Sequence, residues 1–505
     1  MEADIYMRRS SQTLFRNTSV SLRAAALVAA GAVAAACSAS PTEPSATVRQ
    51  ALSDSACHDP NDDNHNGDDR NGDNQGDDGQ SATSHRGNSA FCRGHRNFND
   101  RKLEDLGGNG RACSTCHVEK DSFQLKPSTV EARFQALQAA RLEDSEADDP
   151  LFRPIDADDF RVNGAAASDY TNLRQRALVR VTIPLPANIK LLDCGSTLPC
   201  PASAQPTSET TADVWRSTPS VFNVNITGPD NSTNVWPRGP NNTGGYQLDG
   251  RIDTLQNQAL SALHAHASTT VDPPASFLDD LAAYQQALVT PPEPALSTLE
   301  QDGKALFNRA CATCHGGAGT TTPATAPVGW PGGNPRFTDI ATAFPKPADF
   351  VSPPRWAFES ASQLAKNVRT YEITFPDGFK LRKTSTDPGR ALLTGFVFSA
   401  PPPAPGAVCA HPPCGPGPLD DWQKLEPSPL HGIAQTAPYF HNNSSATLED
   451  VLNHYDQFFL RVRALAPKAF ILSTSVPGTG DRPIKRVSED GGAERAALLA
   501  YLQKL

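Results

Sequence analysis

Cys113-Ser114-Thr115-Cys116-His117 is the stretch that decides how this chain is read. Two cysteines two residues apart, followed at once by histidine, form the attachment signature of c-type haem. Each thiol adds to one vinyl group of the porphyrin, and the intervening pair lets the backbone reach both. The next residue then lies beneath the iron and supplies the proximal imidazole. The motif recurs at Cys311-Ala312-Thr313-Cys314-His315. With 11 Cys and 12 His in 505 residues, composition alone gives roughly 0.006 copies of it. The bland alternatives are a reduced cysteine pair or a zinc knuckle. Two copies favour two covalent haem c groups, bound through Cys113, Cys116, Cys311 and Cys314, with His117 and His315 as proximal ligands.

The rest of the composition is compatible. Hydrophobic residues make up 38% of the chain, with 35 Gly and 44 Pro. That suits loop-rich haem domains in which the porphyrin itself supplies apolar core. The formal net charge is −10, much of it in one tail. No basic stripe points to nucleic acid. Six cysteines remain besides Cys37 and the four of the haem motifs. Cys194/Cys200 and Cys409/Cys414 are close pairs beside Pro and Gly, and Cys57 and Cys92 bracket the acidic tail. An oxidising compartment is the natural setting.

Outward from the motifs, the N-terminus reads as an export signal. Arg8, Arg9, Arg16 and Arg23 precede an Ala/Val-rich run from Ala24 to Ala36, too short to span a bilayer stably. Ala34-Ala35-Ala36-Cys37 resembles a lipoprotein cleavage box with Ala34 where Leu is commoner. Residues 1–37 are therefore expected to be a signal peptide of lipoprotein type, giving a periplasmic or outer-membrane-anchored product whose only membrane attachment is a lipid at Cys37. Ordinary cleavage near Ala36 is the alternative. Residues 38–97 are expected to be a tether, because Asp59 to Gly79 is almost wholly Asp, Asn and Gly and cannot bury a core.

Order is expected from near Phe98. The fold class is mainly α: two cytochrome c-like haem domains, 98–290 and 291–505, with loop-rich insertions and short β-hairpins. Helical spacing appears over Ser128–Leu142, Thr254–Ala267, Ala275–Leu288, Leu296–Arg309, Thr447–Arg461 and Gly492–Leu505. The last of these is expected to pack against the Leu296–Arg309 helix. Alternating Val, Thr and Ile over Ala177–Leu192 predict a strand or hairpin. Tyr371–Arg382 predicts a second hairpin turning at Pro376-Asp377-Gly378.

Five stretches in one order carry a family resemblance. They are Gly108-Asn109-Gly110-Arg111-Ala112-Cys113; Thr218-Pro219-Ser220-Val221-Phe222-Asn223; Asp249-Gly250-Arg251 with Leu255 and Gln258-Ala259; the second haem motif; and Thr436-Ala437-Pro438-Tyr439-Phe440-His441 followed by Thr447-Leu448-Glu449. Across residues 98–505 the chain resembles the bacterial di-haem cytochrome c peroxidases, a family that includes MauG-type enzymes. The resemblance implies that the first haem reduces hydrogen peroxide and that the second relays electrons from a small cytochrome c or cupredoxin. It implies a calcium ion between the domains, on the carbonyls of Thr436 and Pro438, with Ser217 where the family usually has Asn. Dimers are common in the family, so a homodimer is an expectation here too.

The axial and distal groups depart from that pattern. Met1 and Met7 are the only methionines, and both precede the mature chain. A Met ligand to the second haem is therefore excluded. The family's sixth-ligand position falls on Tyr455, as in MauG-type enzymes, with His454, His441 and His431 as alternatives. The family's distal Gln falls on Gln258, but its Glu falls on Ser268, which is no general acid. His264 and His266 lie just before it, and no His occurs between His117 and His264. One of the two is expected to take the acid–base role, unless both are simply surface residues. Leu248 replaces the Trp that usually lies between the haems, leaving Tyr246, Trp236 or no aromatic bridge. Three functions remain: a peroxidase, a MauG-like or oxygenase-type enzyme acting on an organic or protein substrate, and a di-haem electron carrier with both irons capped.

Overall fold

The computed structural model describes residues 57, 89–100, 102–160, 169–195, 200–224, 246–289, 293–315, 367–399, 408–414, 421–423, 425, 429–455 and 491–505. The signal, most of the tether, Cys37 and Trp236 lie outside them.

The first helix, α1, spans Ala90–Asn99. It starts ahead of the expected boundary at Phe98 and takes the end of the segment read as tether. The reason is local. Ser89 caps it, accepting the Cys92 N–H at 3.2 Å, and Cys92 is bound to Cys57 in a disulfide. Phe91 and Phe98 supply an apolar face that the Asp/Asn/Gly run lacks. Helix α2, Pro127–Glu143, and the short α3, Thr171–Arg176, follow the first haem motif. Pro at the first position of α2 costs nothing, because that N–H has no helical partner anyway.

Strand β1, Leu178–Pro184, pairs in antiparallel register with β3, Thr211–Ser217. Strand β2, Ile189–Leu191, pairs instead with β4, Arg369–Thr374, which also pairs with β5, Lys380–Ser385. The Ala177–Leu192 stretch is therefore two strands of two different sheets and not a hairpin. Pro184 ends β1 and Pro186 lies between the two strands, and neither can donate to a ladder. The β4–β5 hairpin forms as the sequence predicts. Because β2 comes from ahead of residue 290 and β4 from after it, the three-stranded sheet stitches the two sides of the chain together. Ile189, Tyr371 and Ile373 of this sheet share one buried cluster with Val181, Ile183 and Val214 of the β1–β3 pair.

Helices α4, Leu255–His266, and α5, Ala275–Ala287, lead to α6, Thr298–Ala310. A capping box of Ser297 and Glu300 starts α6, which runs directly into the second motif and the short α7, Ala312–His315. Helix α8 is Ala391–Thr394. Helix α9 is described over 448–455, with Thr447 and Asp450 exchanging hydrogen bonds at its start. The remainder of the expected helix to Arg461 lies outside the described residues. Helix α10, Ala493–Leu502, ends the chain and packs on α6, as expected.

One helix crossing occurs twice. In α1, Gly94 lies so close to α5 that a Cβ would clash with the Asp280 carbonyl and sit 2.7 Å from Tyr284 Cβ. In α6, a Cβ on Gly303 would clash with the Ala497 carbonyl and sit 2.7 Å from Tyr501 Cβ. Four residues on, one helical turn, each glycine is followed by a phenylalanine that meets the same tyrosine. Phe98 and Tyr284 ring centroids are 5.2 Å apart at 57°, and those of Phe307 and Tyr501 are 5.5 Å apart at 63°. Each haem motif is thus headed by the same glycine–phenylalanine helix crossed on the same tyrosine helix.

Candidate functional site

The first motif is wedged between two clusters of apolar side chains. Cys113 packs against Phe98, Phe123, Ala259 and Tyr284, and Cys116 packs against the cluster of Leu125, Val130 and Phe152. Cys113, Cys116 and Cys311 are free thiols, whereas Cys57–Cys92, Cys194–Cys200 and Cys409–Cys414 are disulfides. Burial pushes the Cys113 thiol up to about 12 and moves Cys116 the same way. Both thiols stay protonated, and a pair left unoxidised beside apolar walls suits addition to porphyrin vinyl groups.

His117 completes the fit. Its Nδ1 donates to the Phe123 carbonyl at 3.1 Å, and burial lowers its basicity, so the ring is neutral. Metal-bound histidines are fixed in this way, donating through one nitrogen and ligating through the other. In the second motif His315 is buried, and Cys311 packs with Phe440 and Tyr455 against the core of Leu306, Phe307 and Leu448. The Thr313 and Cys314 side chains lie outside the description.

The loop that enters the first motif clamps the C-terminal end of α4. Asn109 donates from Nδ2 to the His266 carbonyl at 3.0 Å and to Ser268 Oγ at 3.1 Å. Arg111 donates from Nη1 to the same carbonyl at 3.2 Å and to Asp156 at 2.6 Å. It also donates to the carbonyls of Pro150 and Leu151. The residues at 264 and 266 consequently part company. His264 is exposed; its Nδ1 meets the Thr269 carbonyl and its Nε2 meets Asp272, both at 2.9 Å. It serves the helix end. His266 is half-buried, and desolvation pushes it down to about 4, with Arg111, Arg251 and His117 acting in the same direction and Asp156 against them. It is a neutral imidazole within the field of the first site. Gln258 is half-buried two turns earlier on α4.

The expected calcium position takes a different form. Ser217 donates from Oγ to the Phe440 carbonyl at 3.2 Å and from its backbone N–H to the His441 carbonyl at 2.6 Å. Among the described residues no group of three His, Cys, Asp or Glu side chains is placed to hold a metal. Tyr455 is half-buried at the end of the described part of α9, set edge-on to His454 with ring centroids 5.4 Å apart. His454 is buried and 4.6 Å from the Phe440 ring. Half-buried His431 lies near Glu293, which raises its basicity against the burial that lowers it.

Sequence reasoning missed one cluster altogether. Arg216 at the end of β3 pairs with Asp249 at 2.7 Å and with both oxygens of Asp387, and all three side chains are buried. Arg251 also holds Asp249, and Arg390 donates to its carbonyl at 3.1 Å. Burial raises Asp249, yet Arg216 and Arg251 hold it down at about 2. Half-buried His441 lies in this field and is pushed down to about 4 by desolvation. The Asp-Gly-Arg motif was the only available signal, because Arg216 and Asp387 are far away in sequence.

Comparison with known proteins gives two partial family matches. Residues 300–379 match the cytochrome c family model, and residues 425–458 match a model described as RoxA-like, cytochrome c-like. No curated protein matches. Solved structures similar to the chain include a MauG-like protein associated with microbial copper homeostasis, at 17% identity over 82% of this chain and 88% of that one, with a TM-score of 0.36. Another is Kuenenia stuttgartiensis hydrazine synthase, at 15% identity over 69% and 86%, with a TM-score of 0.29. The second motif, Cys311–His315, falls within the cytochrome c match, and cytochrome c domains bind haem covalently through that motif. The chain thus contains a cytochrome c-like domain, and such a domain implies covalently bound haem c.

Proposed function

We propose that the chain is a di-haem c-type peroxidase, with one haem on Cys113, Cys116 and His117 and the other on Cys311, Cys314 and His315. Hydrogen peroxide takes up two electrons and two protons at the first site and leaves as two waters. A small cytochrome c or cupredoxin delivers the electrons through the second site. The repeated helix crossing supports two equivalent modules, divided near residue 290. The observation that carries the peroxidase reading is the neutral His266, clamped at its backbone by the loop that leads into the first motif.

The haem iron supplies, when bound, the redox equivalents and a site for peroxide. The protein does the rest. His117 is oriented by the Phe123 carbonyl. His266, unprotonated at neutral pH, accepts a proton from the incoming peroxide and returns it to the departing oxygen, the general acid–base role that a carboxylate takes in the resembled family. Gln258, on the same helix, offers an amide to orient the substrate. The calcium of this reading rests on the carbonyls of Thr436 and Pro438. Export to the periplasm, with a lipid anchor at Cys37, belongs to the same reading and is supported by the three disulfides.

One observation favours a MauG-type oxidation of an organic or protein substrate. The only methionines in the sequence, Met1 and Met7, fall in the segment read as an export signal, and Tyr455 packs with Cys311 against the core of the second site. A phenolate ligand would stabilise oxidised iron. Stopped-flow turnover with a reduced cytochrome c separates the readings. Peroxide consumption matched by cytochrome oxidation is the expected result. Peroxide consumption without it points to the MauG-type reaction. A wholly low-spin ferric spectrum that peroxide does not perturb would leave only an electron carrier.

A further inference from the structure

A cleft of about 630 Å³ lies between the α2–α3 region and the loop that precedes α9. One wall is Lys126, at the start of α2, and Gln175 and Arg176, at the end of α3. The other is Ala437-Pro438 and Asn443-Ser444, from the loop that precedes α9. The walls are fixed to each other, because Asn443 donates from Nδ2 to the Arg176 carbonyl at 2.7 Å.

Among the described residues, no carboxylate pairs with the charge in this cleft. Lys126 and Arg176 are both half-buried, and neither side chain forms an ion pair with any described residue. Neighbouring carboxylates are engaged elsewhere. Glu131 is held by Arg174 through two bonds of 2.8 and 2.9 Å. Asp121 accepts the Lys126 backbone N–H at 3.2 Å. Two half-buried cations lining one cleft favour an anion there. The cleft is of ligand size, and its remaining walls include the apolar surfaces of Pro127, Ala437 and Ala446.

We infer that this cleft binds a carboxylate, seated between the Lys126 ammonium and the Arg176 guanidinium. The planar fork of arginine matches the two oxygens of a carboxylate, and the lysine adds a compact point charge. The apolar walls suit an organic body behind the acid group. The same chemistry has two sources: a free organic acid, or a propionate of a haem bound to the protein. The propionate source rests on the di-haem reading above, and the free acid does not.

Calorimetry on the full haem-loaded protein tests this, with benzoate as probe and benzamide as its neutral counterpart. If the acid comes from solution, benzoate binds and benzamide does not. Lys126→Gln and Arg176→Gln each weaken benzoate at least tenfold, and Arg176→Lys restores part of the loss. If the acid is a propionate, benzoate finds the site filled. Arg176→Gln then lowers the midpoint potential of one haem only, because a cation that favoured the reduced form is gone, and Arg176→Lys recovers it. Haem content and far-ultraviolet circular dichroism show that the variants are folded. Equal binding of benzoate and benzamide, or benzoate binding that the variants leave intact, overturns the inference. So does no benzoate binding together with unchanged potentials. None of these readouts requires peroxide turnover.

Discussion

Arg111 and Asp156 form an ion pair 2.6 Å long with side chains 2% and 0% exposed. Both are tied further into the backbone around the first haem motif: Arg111 to the carbonyls of Pro150, Leu151 and His266, and Asp156 to the Arg180 N–H. The pair therefore sets the path of the residues just ahead of Cys113. Arg111→Ala leaves a carboxylate buried without its cation, and breaking such a pair costs about 3–5 kcal/mol. Arg111→Lys cannot make the four-way contact and should recover little of it. Urea denaturation of the loaded protein, read by tryptophan fluorescence, checks the size. Loss of haem from the first motif with the second retained checks the location.

His264 and His266 give opposite expectations for substitution. His264→Ala removes an exposed hydrogen bond to Asp272 and a helix-end contact, so peroxide turnover should change less than twofold. His266→Ala should slow it a hundredfold to ten-thousandfold, the range of about 10²–10⁴ usual for general acid–base catalysis. Gln258→Ala should slow the peroxide reaction while leaving the ferric spectrum unchanged. Equal losses at 264 and 266 would remove the distinction drawn between them.

The two positions also mark how far the sequence could be read. The attachment motif is five contiguous residues, so reading Cys113, Cys116 and His117 needs only local sequence. Helices α2, α4, α5, α6 and α10 follow from apolar spacing and caps, which are local. What separates His266 from His264 is not local. It depends on Asn109 and Arg111, some 155 residues earlier, and no periodicity shows which face they will clamp. The same limit hid the sheet pairing of β2 with β4 and the ion cluster of Arg216, Asp249 and Asp387. The early start of α1 was missed because a polar tract ahead of it masked Ser89 and Phe91.

The Arg216 cluster predicts a two-stage loss of stability in acid. His441 in the folded protein titrates near 4, below its ordinary 6.5. The unfolded chain binds that proton more readily, so the stability is complete above pH 6.5 and is lost as pH falls towards 4. Asp249 is held at about 2 against an ordinary 3.8. Its contribution is present above 3.8 and is lost as pH falls through 2. Each shifted unit is worth about 1.4 kcal/mol, so the His441 stage amounts to roughly 3.5 kcal/mol and the Asp249 stage to roughly 2.5 kcal/mol. Urea midpoints measured from pH 8 to pH 2.5 should therefore fall in two steps. His441→Gln should remove the upper step and leave the lower one.

The paired helix crossings make the last prediction. Gly94 and Gly303 occupy equivalent places, each one turn ahead of a phenylalanine and each pressed against a carbonyl and a tyrosine Cβ of the crossing helix. Alanine favours a helix over glycine by about 0.5–1 kcal/mol, so a purely local account makes both substitutions stabilising. The crossing decides otherwise. A methyl group at either glycine meets backbone, which cannot rotate away, and overpacking of this kind costs about 1–3 kcal/mol. Gly94→Ala and Gly303→Ala should each come out destabilising by one to a few kcal/mol in urea melts. The two variants should differ in which haem band they disturb. Gly94→Ala moves the α1–α5 pair, whose Phe98 ring centroid lies 6.1 Å from that of His117, and should perturb the first haem alone. Gly303→Ala moves the helix that runs directly into Cys311 and should perturb the second alone. If both variants were more stable than the parent, or if each disturbed both haems equally, the chain would not contain two separately headed modules.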